Sequence, residues 1–307
     1  MDRAKGGQII HLARPHFLIP GVLLYTLGAV LASANGAPFY LGMFLFGYAI
    51  FFFAHLSVSF SNDYFDRESD RMAEQTSLSG GSGVLVQHPE LAPTALRIAV
   101  LLLLLSVLTA MAFTWYYSFP LWFLLYAVLG GLMGWFYTAP PLKLAYRGLG
   151  EASTAIASGF IMPGMGYLVM SGTIDLWFAI LSLPLMCYGL YFILTVEMPD
   201  VDFDRLAGKM NLMVHRGIVT GARAALLATS LATIGLFLIA YTDVLGSTIN
   251  FWFVTAFSLL PLTIAAYGVT RDLSIRGNVL SQVKLNFVAM MSFLGFVILV
   301  SSAAVLS

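Results

Sequence analysis

Residues 61–73 read SNDYFDRESDRMA, and residues 197–209 read EMPDVDFDRLAGK. These two stretches contain eight of the fifteen Asp and Glu residues of a chain in which 10% of residues are charged. A shift of 134 positions superimposes them, so that the spacing acid-x2-acid-x3-acid-Arg-x-Ala occurs twice. A spacing that recurs at a fixed offset indicates an internal repeat. We therefore expect two related halves, each with one acidic stretch.

Helical geometry predicts which side chains of each stretch share a face. At about 100° per residue, each stretch places its acidic residues within an arc of roughly 100°. The two arcs contain Asn62, Asp63, Asp66 and Asp70 in the first stretch, and Glu197, Asp200 and Asp204 in the second. Asp202 lies on the opposite side of its helix, and Glu68 falls outside the first arc. Each half can therefore present one acidic face.

The composition predicts an all-α polytopic membrane protein. The 307 residues are 59% hydrophobic, with a mean hydropathy of +0.87, which is too apolar for a soluble domain of this length. Nine runs reach the roughly 20 residues that a membrane-spanning helix needs. We place these spans near 16–34, 38–60, 95–114, 119–137, 152–172, 175–196, 220–241, 249–269 and 284–306.

The distribution of basic residues predicts the orientation. If the N-terminus is cytoplasmic, all fifteen Lys and Arg residues fall in inner loops or at inner helix ends. This bias is stronger than the positive-inside rule requires. We expect an integral membrane protein, in the plasma membrane if the source is prokaryotic, with both acidic stretches at the cytoplasmic side.

The offset between the stretches also predicts the architecture. It corresponds to about four helices, which gives two four-helix pseudo-repeats plus one C-terminal helix in a single domain over residues 1–307. Related units of this kind bring their equivalent faces to a shared central cavity, here an apolar one. The inner loops after the stretches, including 79–85 and 205–212, are long enough to serve a site. We expect them to cap the cytoplasmic mouth of the cavity.

The residue types at this mouth indicate a metal and diphosphate site. Carboxylates four residues apart on facing helices, with an amide beside them, form an oxygen-rich cage that suits Mg²⁺. Basic residues that can bind phosphate lie on the same side. They are Lys209, Arg67, Arg71, Lys143 and Arg147. The predicted substrate has a diphosphate head and a hydrophobic tail. A divalent-cation transporter is the rival interpretation, although transport sites lie nearer the bilayer midplane and lack such cations.

The motifs resemble those of the UbiA superfamily of intramembrane prenyltransferases. Residues 62–70 match the motif N-D-x-x-D-x-x-x-D, and residues 200–209 match D-x-x-x-D-x-x-A-G-K. Arg14-Pro15 at the first span and the loop YTAPPLKLAYRGLGE at 137–151 are similar to this family as well. The resemblance extends over nearly the whole chain.

The resemblance implies a role for each matched residue. Asn62, Asp66 and Asp70 would hold one Mg²⁺, and Asp200 and Asp204 a second. Lys209, Lys143 and either Arg67 or Arg71 would bind the diphosphate of an isoprenyl substrate. The rings expected to line the tail and favour an allylic cation are Tyr64, Tyr137, Tyr146 and Tyr191.

A nucleophilic acceptor would take the prenyl group and lose a proton to Asp63 or Asp200. Arg14 would either anchor its helix at the interface or bind an anionic acceptor. The segments 79–87 and 196–212 look most similar to the menaquinone-type branch, which prenylates a dihydroxynaphthoate. Geranylgeranyl transfer to a glycerol phosphate lipid precursor is the alternative. The expected partners are thus an isoprenyl diphosphate, a hydrophobic or aromatic acceptor and membrane lipid, and no nucleic acid.

Overall fold

The computed structural model describes residues 3–71 and 81–306, with side chains from residue 6 onward, and these residues form helices joined by loops. In chain order the helices are α1 (Arg3–Leu12), α2 (Pro15–Ala34), α3 (Leu41–Asp70), α4 (Val84–Gln87), α5 (Ala92–Tyr116), α6 (Leu121–Trp135), α7 (Gly150–Ile156), α8 (Met162–Ser171), α9 (Leu176–Glu197), α10 (Val201–Leu206), α11 (Leu212–Arg216), α12 (Ile218–Thr242), α13 (Phe251–Thr270) and α14 (Arg276–Leu306). Single 3₁₀ turns lie at Pro89–Leu91, Leu144–Tyr146 and Met198–Asp200.

Eight segments of the described chain are long and apolar enough to cross a membrane. They are α2, α3, α5 with its preceding turn, α7 with α8, α9 with α10, α12, α13 and α14. Large apolar side chains such as Leu101, Leu104 and Leu108 are exposed along their outer faces, as lipid contact requires. The chain is an integral membrane protein.

The ninth predicted span is shorter than expected. Helix α6 is apolar but has only 15 residues, or roughly 22 Å at 1.5 Å per residue, less than the hydrocarbon core. The apolar run from 119 to 137 does not all become helix, because Pro120 is the extended N-cap and the chain turns at Phe136. A count of nine spans therefore stays a prediction.

The order of the helices repeats along the chain. Helix α2 begins at Pro15 and α7 at Gly150, whereas α3 begins at Leu41 and α9 at Leu176, so both pairs are 135 residues apart. Helix α3 packs on α5 as α9 packs on α12, and α5 contacts α6 as α12 contacts α13. Helix α14 has no equivalent and packs on α2, α9 and α13.

Two glycines allow the halves to approach closely. Helix α2 crosses α8, and a Cβ on Gly28 would collide with the carbonyl oxygen of Pro163. A Cβ on Gly166 would likewise collide with the carbonyl oxygen of Tyr25. Without a hydrophobic driving force in lipid, helices associate through such close backbone packing at small residues. This crossing fixes the two halves around the interior cavity.

The Gly28→Ala substitution is expected to lower the melting temperature of the purified protein. The new methyl group meets backbone atoms, which cannot move unless α2 and α8 separate, and overpacking of this kind costs about 1–3 kcal/mol. Gly295 in α14 is the matched control, because a Cβ there meets no atom within 4 Å. Gly295→Ala should leave the melting temperature unchanged or raise it slightly. Equal melting temperatures for the two variants would contradict the proposed crossing.

Candidate active site

The two acidic stretches face one another across a polar chamber of about 160 Å³. Residues 61–70 of the first stretch form the C-terminal end of α3, and the second stretch comprises the end of α9, the 3₁₀ turn, α10 and the turn that follows it. The chamber is lined by Asn62, Asp63, Asp66, Asp70, Glu197, Asp200 and Asp204. These are the residues that helical periodicity placed on the two acidic faces. The structure thus brings the two halves of the predicted metal site together.

Lys209 connects the two walls of the chamber. Its Nζ lies 3.1 Å from Oδ1 of Asp204 and 3.8 Å from Oδ2 of Asp66, on opposite walls. Gly208 provides the positive φ of 75° that turns the chain after α10. Burial lowers the pKa of the Lys209 ammonium, but the carboxylates of Asp66 and Asp204 outweigh this and raise its pKa above the usual range. Lys209 is therefore charged at physiological pH.

Arg14 is the second cation that lines the chamber. It adopts a left-handed conformation, with φ 46°, immediately before α2, and its Nη1 lies 3.8 Å from Oδ1 of Asp63. Its guanidinium also lies over the Phe17 ring. Burial lowers the pKa of Arg14, and the nearby Asp63 opposes this effect. Of the two roles considered for Arg14, this placement favours contact with a bound anion over interface anchoring.

Neutral side chains hold two of the carboxylates and the Asn62 amide in place. Tyr146 OH donates to Oδ1 of Asp66 at 2.8 Å, and Asn211 Nδ2 donates to Oδ2 of Asp204 at 2.8 Å. Thr138 Oγ1 donates to Oδ1 of Asn62 at 2.9 Å. Burial and the charge of Asp66 both raise the pKa of Tyr146, which therefore stays a neutral donor. The sequence analysis did not identify Asn211 or Thr138, and it predicted that Tyr146 lines the tail. The position of Tyr146 in an inner loop was the available signal that it lies near the acidic stretches.

An apolar cavity of about 420 Å³ adjoins the chamber. It lies between α2, α3, α6, α7–α8, α9 and α14, and Asn62 and Tyr137 line both spaces. Burial and the nearby Glu197 charge raise the pKa of Tyr137, so its hydroxyl is neutral. His55 lies on the apolar wall, where its ring packs against Gly21 and Phe51. The combined space suits a ligand with an anionic head and an apolar tail.

Four predicted phosphate ligands lie outside both cavities. Arg67 donates to the carbonyl oxygen of Tyr64 at 2.6 Å, and Arg71 pairs with Glu68 at 2.8 Å. Lys143 and Arg147 are exposed in the loop after α6, and Lys143 Nζ lies 5.4 Å from the centre of the Tyr146 ring. The structure does not place these four cations on the chamber wall.

Two predicted tail residues also lie away from the cavities. Tyr191 of α9 is fully buried in the main hydrophobic core. Tyr64 packs beside Leu12 and Phe60 in a separate hydrophobic cluster. Among the tyrosines predicted to line the tail, Tyr137 does lie on the cavity wall. The reason is orientation, since Tyr64 and Tyr191 point away from the acidic faces of their own helices.

The predicted capping loop is described only from residue 81, so residues 72–80 lie outside the described part of the chain. Gly81 has φ 67° and lies against the carboxylate of Asp70, where a Cβ would collide. The backbone N–H of Ser82 donates to both carboxylate oxygens of Asp63 at 3.3 Å. This end of the loop therefore contacts the first acidic stretch directly.

The oxygen donors of the chamber fit Mg²⁺. Oε2 of Glu197 is buried and accepts no hydrogen bond from the described residues, so a cation would stabilise it. No three His, Cys, Asp or Glu side chains in the described ranges converge closely enough to hold an ion alone. Mg²⁺ keeps several waters and shares its carboxylates with substrate phosphates, so a bound diphosphate would complete its coordination here. The residues that could hold it are Asn62, Asp66 and Asp70 on one wall, and Asp200 and Asp204 on the other.

Known proteins are similar to this chain in sequence and in fold. The chain is 25% identical to the 1,4-dihydroxy-2-naphthoate octaprenyltransferase of Bacillus subtilis (strain 168), over 95% of this chain and 91% of the relative. A UbiA homolog from Archaeoglobus fulgidus bound to GPP and Mg²⁺ superimposes with a TM-score of 0.73 at 19% identity, covering 96% of this chain and 99% of that one. A digeranylgeranylglyceryl phosphate synthase structure gives a TM-score of 0.69 at 18% identity, covering 99% and 100%.

The fold and site together define a helical membrane protein with an acidic chamber at the end of an apolar cavity. Residues 22–279 match the UbiA prenyltransferase family. The chain belongs to that family, and it is an intramembrane prenyltransferase. The resemblance based on the two aspartate motifs is confirmed.

Two cations near the first and second stretches provide a test of the site. Lys209→Met is expected to lower prenyl transfer at least about 100-fold, the effect of removing one preorganised group that stabilises developing negative charge. Arg71→Met removes an exposed cation that pairs with Glu68, and the transfer rate should stay within about twofold, as for exposed pairs generally. Rates are measured on folded, purified protein. Similar losses of prenyl transfer in both variants would contradict the conclusion that Lys209 acts in the chamber and Arg71 does not.

Proposed function

We propose that this protein transfers a prenyl group from an isoprenyl diphosphate to an aromatic quinone precursor, with Mg²⁺ as cofactor. The observation that carries the proposal is that the acidic chamber adjoins the apolar cavity, with Asn62 and Tyr137 on the walls of both. The naphthoate octaprenyltransferase relative favours a dihydroxynaphthoate acceptor. The transporter interpretation loses its basis, because the chain belongs to a prenyltransferase family.

The acidic residues would hold the head of the substrate through metal. In this proposal, Asn62, Asp66 and Asp70 bind one Mg²⁺ and Asp200 and Asp204 a second. When bound, these ions offset the negative charge that grows on the departing diphosphate. Lys209 adds a cation between the walls, and Arg14 adds another near Asp63. Phosphate contacts from Lys143, Arg147 and Arg67 stay predictions that would require these side chains to turn toward the chamber, whereas for Arg71 the proposal retains only its pair with Glu68.

The apolar cavity would receive the tail and exclude water. Cleavage of the allylic carbon–oxygen bond leaves an allylic cation, which water would destroy. Tyr137 lies where the chamber meets the cavity, so its ring is the aromatic face placed to favour this cation. The acceptor then forms a carbon–carbon bond and releases a proton to Asp63 or Asp200, both of which line the chamber.

We further propose that the chamber opens to the cytoplasm and that residues 1–307 form a single catalytic domain. The orientation is supported by the basic residues, all of which lie in inner segments when the N-terminus is cytoplasmic. The single domain is supported by the family match over 22–279 and by the larger hydrophobic cluster, whose members extend from Tyr25 to Val297.

Asp66→Asn is expected to reduce prenyl transfer at least 100-fold, because it removes a charge that would bind metal beside the diphosphate. The assay supplies geranylgeranyl and longer diphosphates, Mg²⁺, and naphthoate, benzoate or glycerol phosphate acceptors. Chelation of Mg²⁺ should abolish transfer, and the dihydroxynaphthoate should be preferred. Transfer to the glycerol phosphate acceptor alone would favour the ether-lipid reaction, for which the digeranylgeranylglyceryl phosphate synthase fold is the supporting similarity.

Asp202→Asn is the matched control for this experiment. Asp202 is exposed and pairs with Arg205 at 3.6 Å, so its neutralisation should leave the rate within about twofold. Activity that survives Asp66→Asn at the wild-type level would overturn the proposed reaction.

The orientation can be tested by labelling single cysteines in intact cells. Cys187 is first replaced by Ala, and Val244→Cys or Ile275→Cys is then introduced; both positions lie in loops and are more than half exposed. A membrane-impermeant maleimide should label Cys at 244 but label Cys at 275 only after lysis. The opposite pattern would place the chamber outside.

A further inference from the structure

The two acidic stretches differ in their backbone. Helix α3 continues unbroken to Asp70, whereas α9 ends at Glu197 and a 3₁₀ turn, Met198–Asp200, precedes α10. Pro199 within this turn has no N–H to donate, and the carbonyl of Thr195 accepts from the backbone N–H of Met198 instead, three residues along the chain. In a membrane protein such a break is tolerated when neighbouring helices supply polar groups.

Helix α14 supplies polar side chains at this break. Asn286 Nδ2 donates to Thr195 Oγ1 at 3.2 Å, and Arg276 Nη1 donates to the carbonyl oxygen of Pro199 at 3.2 Å. Gln282 Nε2 donates to Asn286 Oδ1 at 2.8 Å and to the carbonyl oxygen of Ile264 in α13 at 2.9 Å. These contacts join α13 and α14 to the end of α9.

The network is deeply buried and has a dedicated space. Gln282 and Asn286 are each 1% exposed. A Cβ on Gly268 would lie 2.7 Å from Gln282 Nε2, so this glycine makes room for the amide. Polar side chains within membrane helices are costly and mark functional positions. Interhelical hydrogen bonds help to join helices in lipid, and here those of Asn286 and Arg276 meet α9 and the turn after it at the break.

We propose that Asn286, Gln282 and Arg276 are positioning residues for the second acidic stretch. They fix the break at Pro199 and thereby the direction in which Asp200 and Asp204 face the opposite wall. Helix α14, which lies outside the repeat, thus gives the second stretch a support that the continuous α3 does not need. This inference rests on the proposed function, because its consequence is the binding of Mg²⁺ and diphosphate.

Thr195→Val and Asn286→Leu remove the two partners of one buried hydrogen bond with little change in volume. Each should raise the half-saturating Mg²⁺ concentration for prenyl transfer about tenfold, as expected when one buried polar group is left unpaired, and should change the maximal rate much less. Without metal, hydrogen–deuterium exchange over residues 195–206 should be faster in both variants. The stabilisation of the protein by Mg²⁺ with a non-hydrolysable prenyl diphosphate should be weaker, as a readout independent of turnover.

Thr229→Val is the matched control, because Thr229 is fully buried and bonds only its own helix, at Ala225 and Leu226. A purely structural role predicts lower melting temperatures in Thr195→Val with unchanged Mg²⁺ dependence and unchanged exchange over 195–206, and this result would overturn the proposal. If Asn286→Leu does not fold, Thr195→Val decides the outcome. If the wild-type protein itself neither binds the diphosphate with Mg²⁺ nor transfers the prenyl group, the proposed function fails instead.

Discussion

Carboxylates crowded at one end of a lipid-embedded bundle repel one another, and the arrangement of this protein depends on offsetting that repulsion. Six acidic side chains line the chamber, and within the described ranges two cations, Arg14 and Lys209, line it with them. The remaining negative charge is what a divalent cation bound with a diphosphate would need. Lys209 reaches both walls, so one side chain already couples the two halves before any ligand binds.

The helical periodicity of the two stretches was sufficient to predict the acidic lining. Residues such as Asp66 and Asp204 follow from spacing, because a helix places residues three and four positions apart on one face. The same reasoning could not select among the cations. The positive-inside bias places every basic residue on one side of the membrane, so it does not distinguish Arg71 from Lys209, although of these two only Lys209 lines the chamber.

Helix interruptions explain most of the remaining differences between expectation and structure. The run near 152–172 becomes α7, a π-helical turn at Ala157–Ile161 and α8, with Pro163 at the start of α8. Hydropathy alone does not report such turns, since the side chains stay apolar throughout. Tyr191 illustrates the related problem of direction: it belongs to the right helix, yet its ring points into the core between helices and not toward the chamber.

A repeat also leads one to expect equivalent walls, and the structure shows how two copies of one pattern become different. The first wall is a continuous helix on which side chains from the loop after α6 hold two residues: Thr138 bonds the amide of Asn62, and Tyr146 bonds the carboxylate of Asp66. The second wall is interrupted by the 3₁₀ turn Met198–Asp200, which contains Pro199 and separates α9 from α10. An interruption in lipid leaves backbone groups that must be satisfied. Arg276 of α14 does so for the carbonyl of Pro199, and Asn286 bonds the Thr195 side chain about one turn earlier, so the helix beyond the repeat contacts the wall that differs from its counterpart.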